Sequence, residues 1–306
     1  MLETAGKRLI LTALLAAEEA GKAILDVYNA GAIVADEKCD GSPLTLADRR
    51  SHEIIIRRLG GEGSSRFPLL SEEGKDIRYE ERKKWECFWL VDPLDGTKEF
   101  IKRNDEFTVN IALIKGGRPV LGVIYLPVTD TFYFAAEDLG SYKAEHLRIA
   151  GLVRPGQTDG ETEESFREVM ERAASLPDRG TETGASGILR VVGSRSHATV
   201  EQDLFIEALK KRYERVEIVP AGSSLKFCLV AEGKADIYPR FGPTMEWDTA
   251  AGQSIVNESG GEVVSMKDRQ PLRYNKEDLR NHPFLCKGSS SDLEGLLHPD
   301  PDPLRF

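Results

Sequence analysis

The stretch from Phe88 to Thr97 constrains the fold more than any other part of the chain; it reads Phe-Trp-Leu-Val-Asp-Pro-Leu-Asp-Gly-Thr. Its first four residues are apolar and predict a buried strand that ends at Asp92. Pro93 has no backbone donor and a fixed φ, so we expect the chain to turn there and leave the sheet. Asp95 follows closely enough for its carboxylate to converge with that of Asp92.

Two interpretations of this motif are open. Asp, Pro and Gly all favour turns, so the segment could be a solvated turn. The two carboxylates, with the Leu94 carbonyl between them, could instead bind Mg²⁺, which prefers oxygen ligands and is commonly shared with a substrate phosphate. Gly96 would let the backbone approach a ligand, and Thr97 would bring a hydroxyl and an N–H to a helix start. The motif favours the metal site without deciding the question.

Composition narrows the class of protein. The chain has 306 residues, 40% hydrophobic and 30% charged, which suits one large or two medium domains. A net charge of −10 argues against a basic face for a nucleic-acid polymer. The four cysteines show no Cys-x-x-Cys spacing and are expected to be reduced thiols. The apolar run Leu9–Ala17 is too short to be an integral membrane segment, so we expect a cytoplasmic protein.

The first half reads as helices followed by antiparallel strands. We predict a long helix over about 3–30 with Gly31 as its C-cap, and a second helix from Ser42-Pro43 to about Leu59. Thr45 to Asp48 has the form of a capping box inside that second helix. Asp48 could alternatively be the buried partner of a distant hydroxyl, although the local sequence favours the cap.

Short strands are predicted on both sides of the central motif. One covers Pro68–Leu70 and leads into Glu72 and Glu73, which are either exposed charges or further ligands of the same metals. Three antiparallel strands are then predicted over 107–114, 120–126 and 131–135.

Beyond residue 150 the pattern changes. Residues 151–187 are rich in Gly, Glu, Thr and Ser, and we expect a mobile insertion that contains one amphipathic helix over 161–174. Strands and helices then alternate, which predicts an α/β layer. Its strands are predicted over 188–192, 216–219, 235–238 and 262–265, and its helices over 200–213, 223–232 and 248–258. We therefore expect domains at 1–187 and 188–287, followed by a frayed tail at 288–306.

Two signatures together resemble the inositol monophosphatase superfamily of lithium-sensitive, Mg²⁺-dependent phosphatases. The first is Asp-Pro-Leu-Asp-Gly-Thr at 92–97 with Glu72 upstream, and the second is Trp-Asp-Thr-Ala-Ala-Gly at 247–252. Asp248 of the second signature, taken alone, would be interpreted as a helix N-cap. The resemblance implies a five-layered α-β-α-β-α sandwich, an α/β arrangement with the site between its two halves.

Further segments resemble bacterial 3′(2′),5′-bisphosphate nucleotidases, a branch of this superfamily. They are Thr97–Asn104, Ser194–His197, Gly222–Gly233 and Tyr238–Pro243. The resemblance implies hydrolysis of the 3′-phosphate of adenosine 3′,5′-bisphosphate to AMP and phosphate, within sulfur metabolism. The alternatives are an inositol monophosphatase or fructose-1,6-bisphosphatase of the same superfamily, or a catalytically idle nucleotide sensor.

The same resemblance implies roles for individual residues. The metal ligands, for two or three Mg²⁺ ions, fall on Glu72, Asp92, the Leu94 carbonyl, Asp95 and Asp248. The water-activating pair falls on Asp48 and Thr97, which reverses the local preference for a simple cap. Substrate contacts fall on Gly96, Thr97, Ser194, His197, Gly222, Lys226 and Asp248. We add Arg240 from its charge and its position before Asp248, note that His197 could instead cap the next helix, and expect a monomer or homodimer.

Overall fold

The computed structural model describes residues 3–31, 35–37, 43–60, 67–74, 76–154, 156–178, 187–194 and 199–289. For 35–37, Pro43 and Ser194 it describes the backbone only. Within these ranges, no helix combines the length and the apolar character needed to cross a membrane. The cysteines among the described residues, Cys87, Cys228 and Cys286, are free thiols.

The first helix has Ala30 as its C-cap and not Gly31 as predicted. The α-helices of the described residues include every predicted helix, with shifted ends, and a further short helix. They are α1 (Thr4–Asn29), α2 (Leu46–Leu59), α3 (Tyr79–Arg82), α4 (Thr97–Lys102), α5 (Asp159–Glu171), α6 (Val200–Lys210), α7 (Leu225–Ala231) and α8 (Glu246–Glu258). The predicted start of α2 at Ser42-Pro43 is wrong, because Pro43–Thr45 is a strand and Thr45 is the N-cap. Asp248 is not the N-cap of α8, since Met245 holds that position.

The strands form two large sheets. The strands are β1 (Ala35–Glu37), β2 (Pro43–Thr45), β3 (Leu69–Ser71), β4 (Cys87–Asp95), β5 (Thr108–Lys115), β6 (Arg118–Leu126), β7 (Thr131–Ala136), β8 (Gly140–Glu145), β9 (Ala174–Ser175), β10 (Ile188–Ser194), β11 (Arg215–Ala221), β12 (Ile237–Arg240), β13 (Glu262–Ser265) and β14 (Phe284–Lys287). Among the described residues, the first sheet has the order β3-β4-β5-β6-β7-β8-β9 and the second β11-β10-β12-β14-β13. β1 and β2 pair separately. The sequence prediction missed β1, β8, β9 and β14, and it placed β2 in the following helix.

Alternating side chains of β4 show how the layers stack. Trp89 and Val91 belong to a core shared with α1, α2 and α5, whereas Phe88 and Leu90 belong to a core shared with α7 and α8. Successive residues of a strand point to opposite faces, so a strand covered on both sides is apolar throughout. The far side of the second sheet packs on α6, including Phe205. The layers are therefore α1/α2/α5, first sheet, α7/α8, second sheet and α6, which confirms the five-layered sandwich.

Helix α8 lies directly against the first sheet. A Cβ at Gly122 of β6 would lie 2.5 Å from the carbonyl oxygen of Ala251 and 3.0 Å from its Cα. Only glycine permits this approach without a shift of the backbone. The close packing of α8 on β6 brings the start of this helix towards the first half of the chain.

The segment predicted as an insertion contains the expected helix, α5, which packs on α1. Lys7 pairs with Glu163 at 2.5 Å, and Phe166 and Val169 of α5 are buried in the core of the first half. Strand β9 pairs with β8, so part of the segment also extends the first sheet. Residues 179–186 lie outside the described residues, and mobility of the segment stays a prediction.

Candidate active site

The central motif begins as an ordinary strand and then departs from the ladder. Asp92 pairs with Asn110 of β5 and Asp95 pairs with Thr108, and the register shifts between the two pairs. The strand therefore does not end at Asp92 as predicted but continues to Asp95 through an irregularity at Pro93. Such bulges redirect side chains, and here the shift turns two aspartates of one strand towards the same region.

The peptide between Pro93 and Leu94 is held at both ends. The Pro93 carbonyl accepts a hydrogen bond of 2.6 Å from the Ser51 hydroxyl of α2. The Leu94 N–H donates to Oδ1 of Asp92 at 3.0 Å. Because this peptide is pinned by the neighbouring helix and by the motif's own aspartate, the positions of Asp92 and of the Leu94 carbonyl are fixed together.

Asp48 caps α2 and also lies near a distant hydroxyl, whereas its part in water activation stays a prediction. Its Oδ2 accepts hydrogen bonds from the backbone N–H of Thr45 at 2.7 Å and from the Thr45 hydroxyl at 2.6 Å, which confirms the capping box. Its Oδ1 faces the hydroxyl of Thr97 at 3.3 Å, and that hydroxyl is equally far from the Leu94 carbonyl. The carboxylate thus uses one oxygen for the cap and the other for the motif.

Asp248 enters the site as the third residue of a capping box. Its Oδ2 accepts a hydrogen bond of 2.8 Å from the N–H of the N-cap residue, Met245. The preceding Glu246 is fully buried and pairs with Lys276 at 2.6 Å, while the backbone N–H groups of Asn275 and Lys276 also donate to it. A loop about thirty residues downstream therefore helps to hold the first turn of α8.

The acidic side chains share one electrostatic environment. Burial raises the pKa of Asp92 well above its usual range, and the nearby charges of Glu72, Asp95 and Asp248 raise it further. Burial, followed by the charges of Asp95 and Glu72, raises the pKa of Asp248 to about 8. Buried carboxylates that repel one another are suited to binding a divalent cation, because its positive charge would neutralise their negative charges.

These residues fit Mg²⁺ in the type of ligand that they offer. Carboxylates and a backbone carbonyl are hard oxygen ligands, which Mg²⁺ prefers. Within the part of the chain that the structure describes, no three His, Cys, Asp or Glu side chains are gathered into a ready-made metal cage. The assignment of Glu72, Asp92, Leu94, Asp95 and Asp248 as ligands therefore rests on charge and ligand type and stays a prediction.

A cleft lies between the two halves. Five predicted site residues line it: Asp95, Gly96, Lys226, Arg240 and Asp248. The first two come from the motif at the end of β4, and the other three come from α7, β12 and α8. Acidic and basic side chains from distant parts of the sequence thus meet at one opening.

The two cations of the cleft are held by neighbouring groups. Lys226 is only 6% exposed, donates to the Ser223 carbonyl at 2.9 Å and lies 5.6 Å from the centre of the Tyr238 ring. Burial lowers its pKa to about 8. Arg240 donates to the carbonyls of Gly242 at 3.2 Å and Pro243 at 3.1 Å. That these two side chains bind an anionic group of the substrate stays a prediction.

Gly96 and Gly222 lie where the segment after β4 meets the segment after β11. Gly96 has φ +88°, and a Cβ there would lie 3.2 Å from both the Glu106 carbonyl and the Ser223 Cβ. The Gly222 N–H donates to the Glu106 carboxylate at 2.8 Å, and a Cβ at this glycine would lie 2.9 Å from Cγ of Glu99. The two halves therefore approach too closely here for larger residues.

Two predicted substrate contacts cannot be placed. The backbone of Ser194 ends β10, but its side chain is not described, and His197 lies outside the described residues. Two residues that sequence reasoning missed lie beside the acidic group: Asn110 and Ser224. Asn110 had a usable signal, since it is polar within the apolar run of β5. Ser224 was part of a quoted segment without a role of its own.

This chain is similar to several known proteins. A profile of the inositol monophosphatase family matches residues 7–299. The 3′(2′),5′-bisphosphate nucleotidase CysQ of Salmonella typhimurium is 43% identical over 269 residues, which cover 88% of this chain and 95% of that protein. The protein of the same name from Escherichia coli O157:H7 is 42% identical over 271 residues, with the same coverage.

Solved structures show the same relationship. The crystal structure of CysQ from Bacteroides thetaiotaomicron has a TM-score of 0.79 and 46% identity, and the match covers 93% of this chain and 98% of that one. An inositol monophosphatase from Anabaena shares the fold at 22% identity, with a TM-score of 0.63 and coverage of 95% and 94%. The profile match over nearly the whole chain and the identity to these relatives show that this chain belongs to the inositol monophosphatase family.

Proposed function

We propose that this protein is a Mg²⁺-dependent 3′(2′),5′-bisphosphate nucleotidase that converts adenosine 3′,5′-bisphosphate to AMP and phosphate. The observation that carries the proposal is the identity of 42–43% to relatives of that name over 95% of their length. The cleft supports it, because Lys226 and Arg240 lie beside Asp95 and Asp248. A substrate with two phosphates needs both an acidic metal site and separate cations.

Thr97 and Asp48 are the residues suited to activate water. The Thr97 oxygen can accept a hydrogen bond from the attacking water while its own proton is directed to Oδ1 of Asp48, 3.3 Å away. The water proton can then leave through Thr97 to Asp48. The hydrogen bonds from Thr45 keep Oδ2 of Asp48 occupied, so the carboxylate cannot rotate freely away from Thr97.

Glu72, Asp92, the Leu94 carbonyl, Asp95 and Asp248 would hold two or three Mg²⁺ ions. Bound Mg²⁺ would acidify the attacking water and neutralise charge that develops on the phosphoryl oxygens. The N–H groups of Gly96 and Thr97 are proposed to take part of the same charge. In this proposal water attacks the phosphate directly, so no side chain becomes phosphorylated during the reaction.

Lys226 and Arg240 are proposed to bind the phosphate that stays on the product. Lys226→Ala should raise KM for adenosine 3′,5′-bisphosphate about tenfold or more, because a hydrogen bond to a charged group contributes about 1.5–3 kcal/mol. KM for inositol 1-phosphate, which lacks a second phosphate, should change little. The Lys226 amine is charged below its pKa of about 8, so KM for the bisphosphate should also rise above that pH. Equal effects of the substitution on both substrates would contradict the role.

The direct test of the activity is phosphate release from adenosine 3′,5′-bisphosphate compared with inositol 1-phosphate and fructose 1,6-bisphosphate at fixed Mg²⁺. We expect the nucleotide to be preferred and EDTA to stop the reaction. A preference for inositol 1-phosphate or fructose 1,6-bisphosphate would favour the alternative phosphatases. Binding of the nucleotide without phosphate release in Mg²⁺ would favour the idle sensor. A cytoplasmic location, and a monomeric or homodimeric state, complete the proposal.

A further inference from the structure

Three buried polar residues connect the two halves of the acidic site and have no role so far. Thr108 and Asn110 lie on β5, opposite Asp95 and Asp92 of β4. Ser224 immediately precedes α7. Their exposed fractions are 0%, 1% and 2%, so water cannot replace the hydrogen bonds that they make. A buried polar group without a partner is costly, and these three residues satisfy one another.

The hydrogen bonds between them run in one direction. The Thr108 hydroxyl donates to Oδ1 of Asn110 at 3.0 Å, which fixes the amide so that its NH₂ group points the other way. That NH₂ group donates to Oγ of Ser224 at 2.8 Å and lies 3.4 Å from Oδ2 of Asp95. With Oγ already used as an acceptor, the Ser224 proton is free to donate to Oδ2 of Asp95, 2.6 Å away.

Ser224 also lies next to the second half's aspartate. Its hydroxyl is 3.0 Å from the backbone carbonyl of Asp248. One hydroxyl therefore stands between the segment that carries Asp95 and the segment that carries Asp248. Oδ1 of Asp95 takes none of these hydrogen bonds, and Asp95 borders the cleft.

We propose that Thr108, Asn110 and Ser224 are positioning residues that occupy Oδ2 of Asp95 and leave Oδ1 as its oxygen for the metal. The inference rests on the proposed function, because it assigns these residues to the same metal site. Residues that orient a metal ligand typically change metal affinity or activity by about 10–100-fold when they are replaced. A residue that only fills the core would change stability instead.

Thr108 offers the sharpest substitution because it touches neither the cleft nor a metal ligand's carboxylate. Thr108→Val keeps the shape of the side chain and removes the hydroxyl that fixes the Asn110 amide. The amide can then turn its oxygen towards Asp95 and accept the Ser224 proton, which draws that proton away from Asp95. Thr108→Ser keeps the hydroxyl and should restore the arrangement.

Thr131 supplies a matched control on β7, two strands away from β5 in the same sheet. Its side chain is also buried, and its hydroxyl donates to the Thr129 carbonyl at 3.1 Å, away from the acidic site. Thr131→Val removes a hydroxyl of the same kind. A comparison of the two valine variants separates loss of stability from loss of ligand orientation.

The experiment is a titration of each full-length variant with Mn²⁺ alone, followed by electron paramagnetic resonance, together with the Mg²⁺ dependence of phosphate release. Thr108→Val and Ser224→Ala should weaken Mn²⁺ binding and raise the half-saturating Mg²⁺ concentration about tenfold or more. Thr108→Ser and Thr131→Val should stay within about twofold of the wild type, and KM for the nucleotide at saturating Mg²⁺ should be unchanged in Thr108→Val. If Ser224→Ala fails to fold, Thr108→Val carries the test.

The outcomes separate this inference from the proposed function. Unchanged Mn²⁺ affinity in Thr108→Val, or an equal loss in Thr131→Val, overturns the positioning role even when the wild type is active. A wild type that binds no Mn²⁺ also overturns it. A wild type that binds Mn²⁺ and shows the expected ranking of variants, but releases no phosphate, supports the positioning role and refutes the nucleotidase activity.

Discussion

The two segments that carry the acidic residues are held in place by different means. The motif at the end of β4 lies inside the first sheet, with β5 on one side, and Ser51 of α2 holds its Pro93 carbonyl at 2.6 Å. The start of α8 belongs to no sheet, and Glu246 ties it to the loop at Asn275 and Lys276. The first segment depends on a neighbouring strand and helix. The second depends on a loop, through the buried Glu246 carboxylate and through hydrogen bonds such as that of 2.9 Å from the Asn281 amide to the Met245 carbonyl.

The difference shows where each half of the site is vulnerable. A segment that is held by a whole ladder of hydrogen bonds loses little when one contact is removed. A segment in which one buried carboxylate accepts from a lysine and from two backbone N–H groups loses three contacts when that carboxylate is removed. The substitutions below test this contrast.

Asp95→Asn should have the largest effect, because it removes a charged oxygen from the metal site while its amide oxygen can still accept from Ser224. We expect turnover to fall by more than about 100-fold. Replacing a residue that only orients a metal ligand typically costs about 10–100-fold, and Asp95 is proposed to be a ligand itself. Steady-state phosphate release measures this, with circular dichroism as the check on folding. Asp159→Asn, on the surface of α5 beside Arg8, is the control. Near-normal kcat in a folded Asp95→Asn protein would remove the metal assignment.

Glu246→Ala should cause the largest loss of stability. Removing one partner of a buried ion pair typically lowers the free energy of unfolding by about 3–5 kcal/mol. Here it also removes the hydrogen-bond acceptor of two backbone N–H groups, those of Asn275 and Lys276. Urea denaturation would measure the change in the free energy of unfolding. Glu163→Ala breaks a partly exposed pair with Lys7 and should show no comparable loss. Similar losses in the two variants would mean that Glu246 is not a principal support of the start of α8.

Asp248→Asn should stabilise the metal-free protein. In the folded state the pKa of Asp248 is about 8, above the ordinary 3.8. Between these two pH values the folded state therefore holds a proton that the unfolded state has lost. Stability therefore falls as pH rises from about 4 to 8, and the neutral amide removes this loss.

In EDTA at pH 8, the Tm of Asp248→Asn should exceed that of the wild type by a few degrees, since 1 kcal/mol shifts Tm by about 2 °C in a chain of this size. The difference should shrink at pH 5 and in Mg²⁺, which stabilises the wild type more. A wild type whose Tm in EDTA is higher at pH 8 than at pH 5, with no gain from the substitution, would contradict the raised pKa.

Ser51→Ala should have the smallest effect, because the sheet still holds the motif. The loss of one buried hydrogen bond to the Pro93 carbonyl should cost about 1–2 kcal/mol of the free energy of unfolding. Ser141 is an apt control, since its buried hydroxyl has no hydrogen-bond partner among the described residues, and Ser141→Ala should be close to neutral. A loss at Ser51 as large as that at Glu246 would erase the contrast between the two segments.

Local patterns predicted a large share of the fold. Apolar runs and periodicity identified α1, α5 and α8 and most strands of both sheets, because burial on one or two faces leaves a direct mark in the sequence. The capping box at Thr45 was also visible. The start of α2 was misplaced because Ser42-Pro43 resembles a helix start equally well, and tertiary pairing made Pro43–Thr45 a strand.

Strands with weak patterns were missed for a related reason. Gly140–Glu145 mixes polar and apolar residues, and Phe284–Lys287 is a short run close to the predicted tail. Phe284–Lys287 becomes a strand because it fills the space between β12 and β13, which only the assembled sheet provides. The register shift at Pro93, which lets the strand continue to Asp95, could not be predicted either, because it depends on pairing with β5.

By itself, the sequence determined the chemical types at the site: the acidic residues, the Thr97 hydroxyl and the Lys226 and Arg240 cations are readable as motifs because each chemistry needs a particular side chain. Only the tertiary structure decided how they are oriented. The shared burial of Asp92 and Asp248, the hydrogen bond from Ser224 to Asp95 and the anchoring of α8 by Glu246 join residues more than a hundred positions apart or on different elements. Such contacts depend on which faces of the packed layers meet, and no local pattern records that.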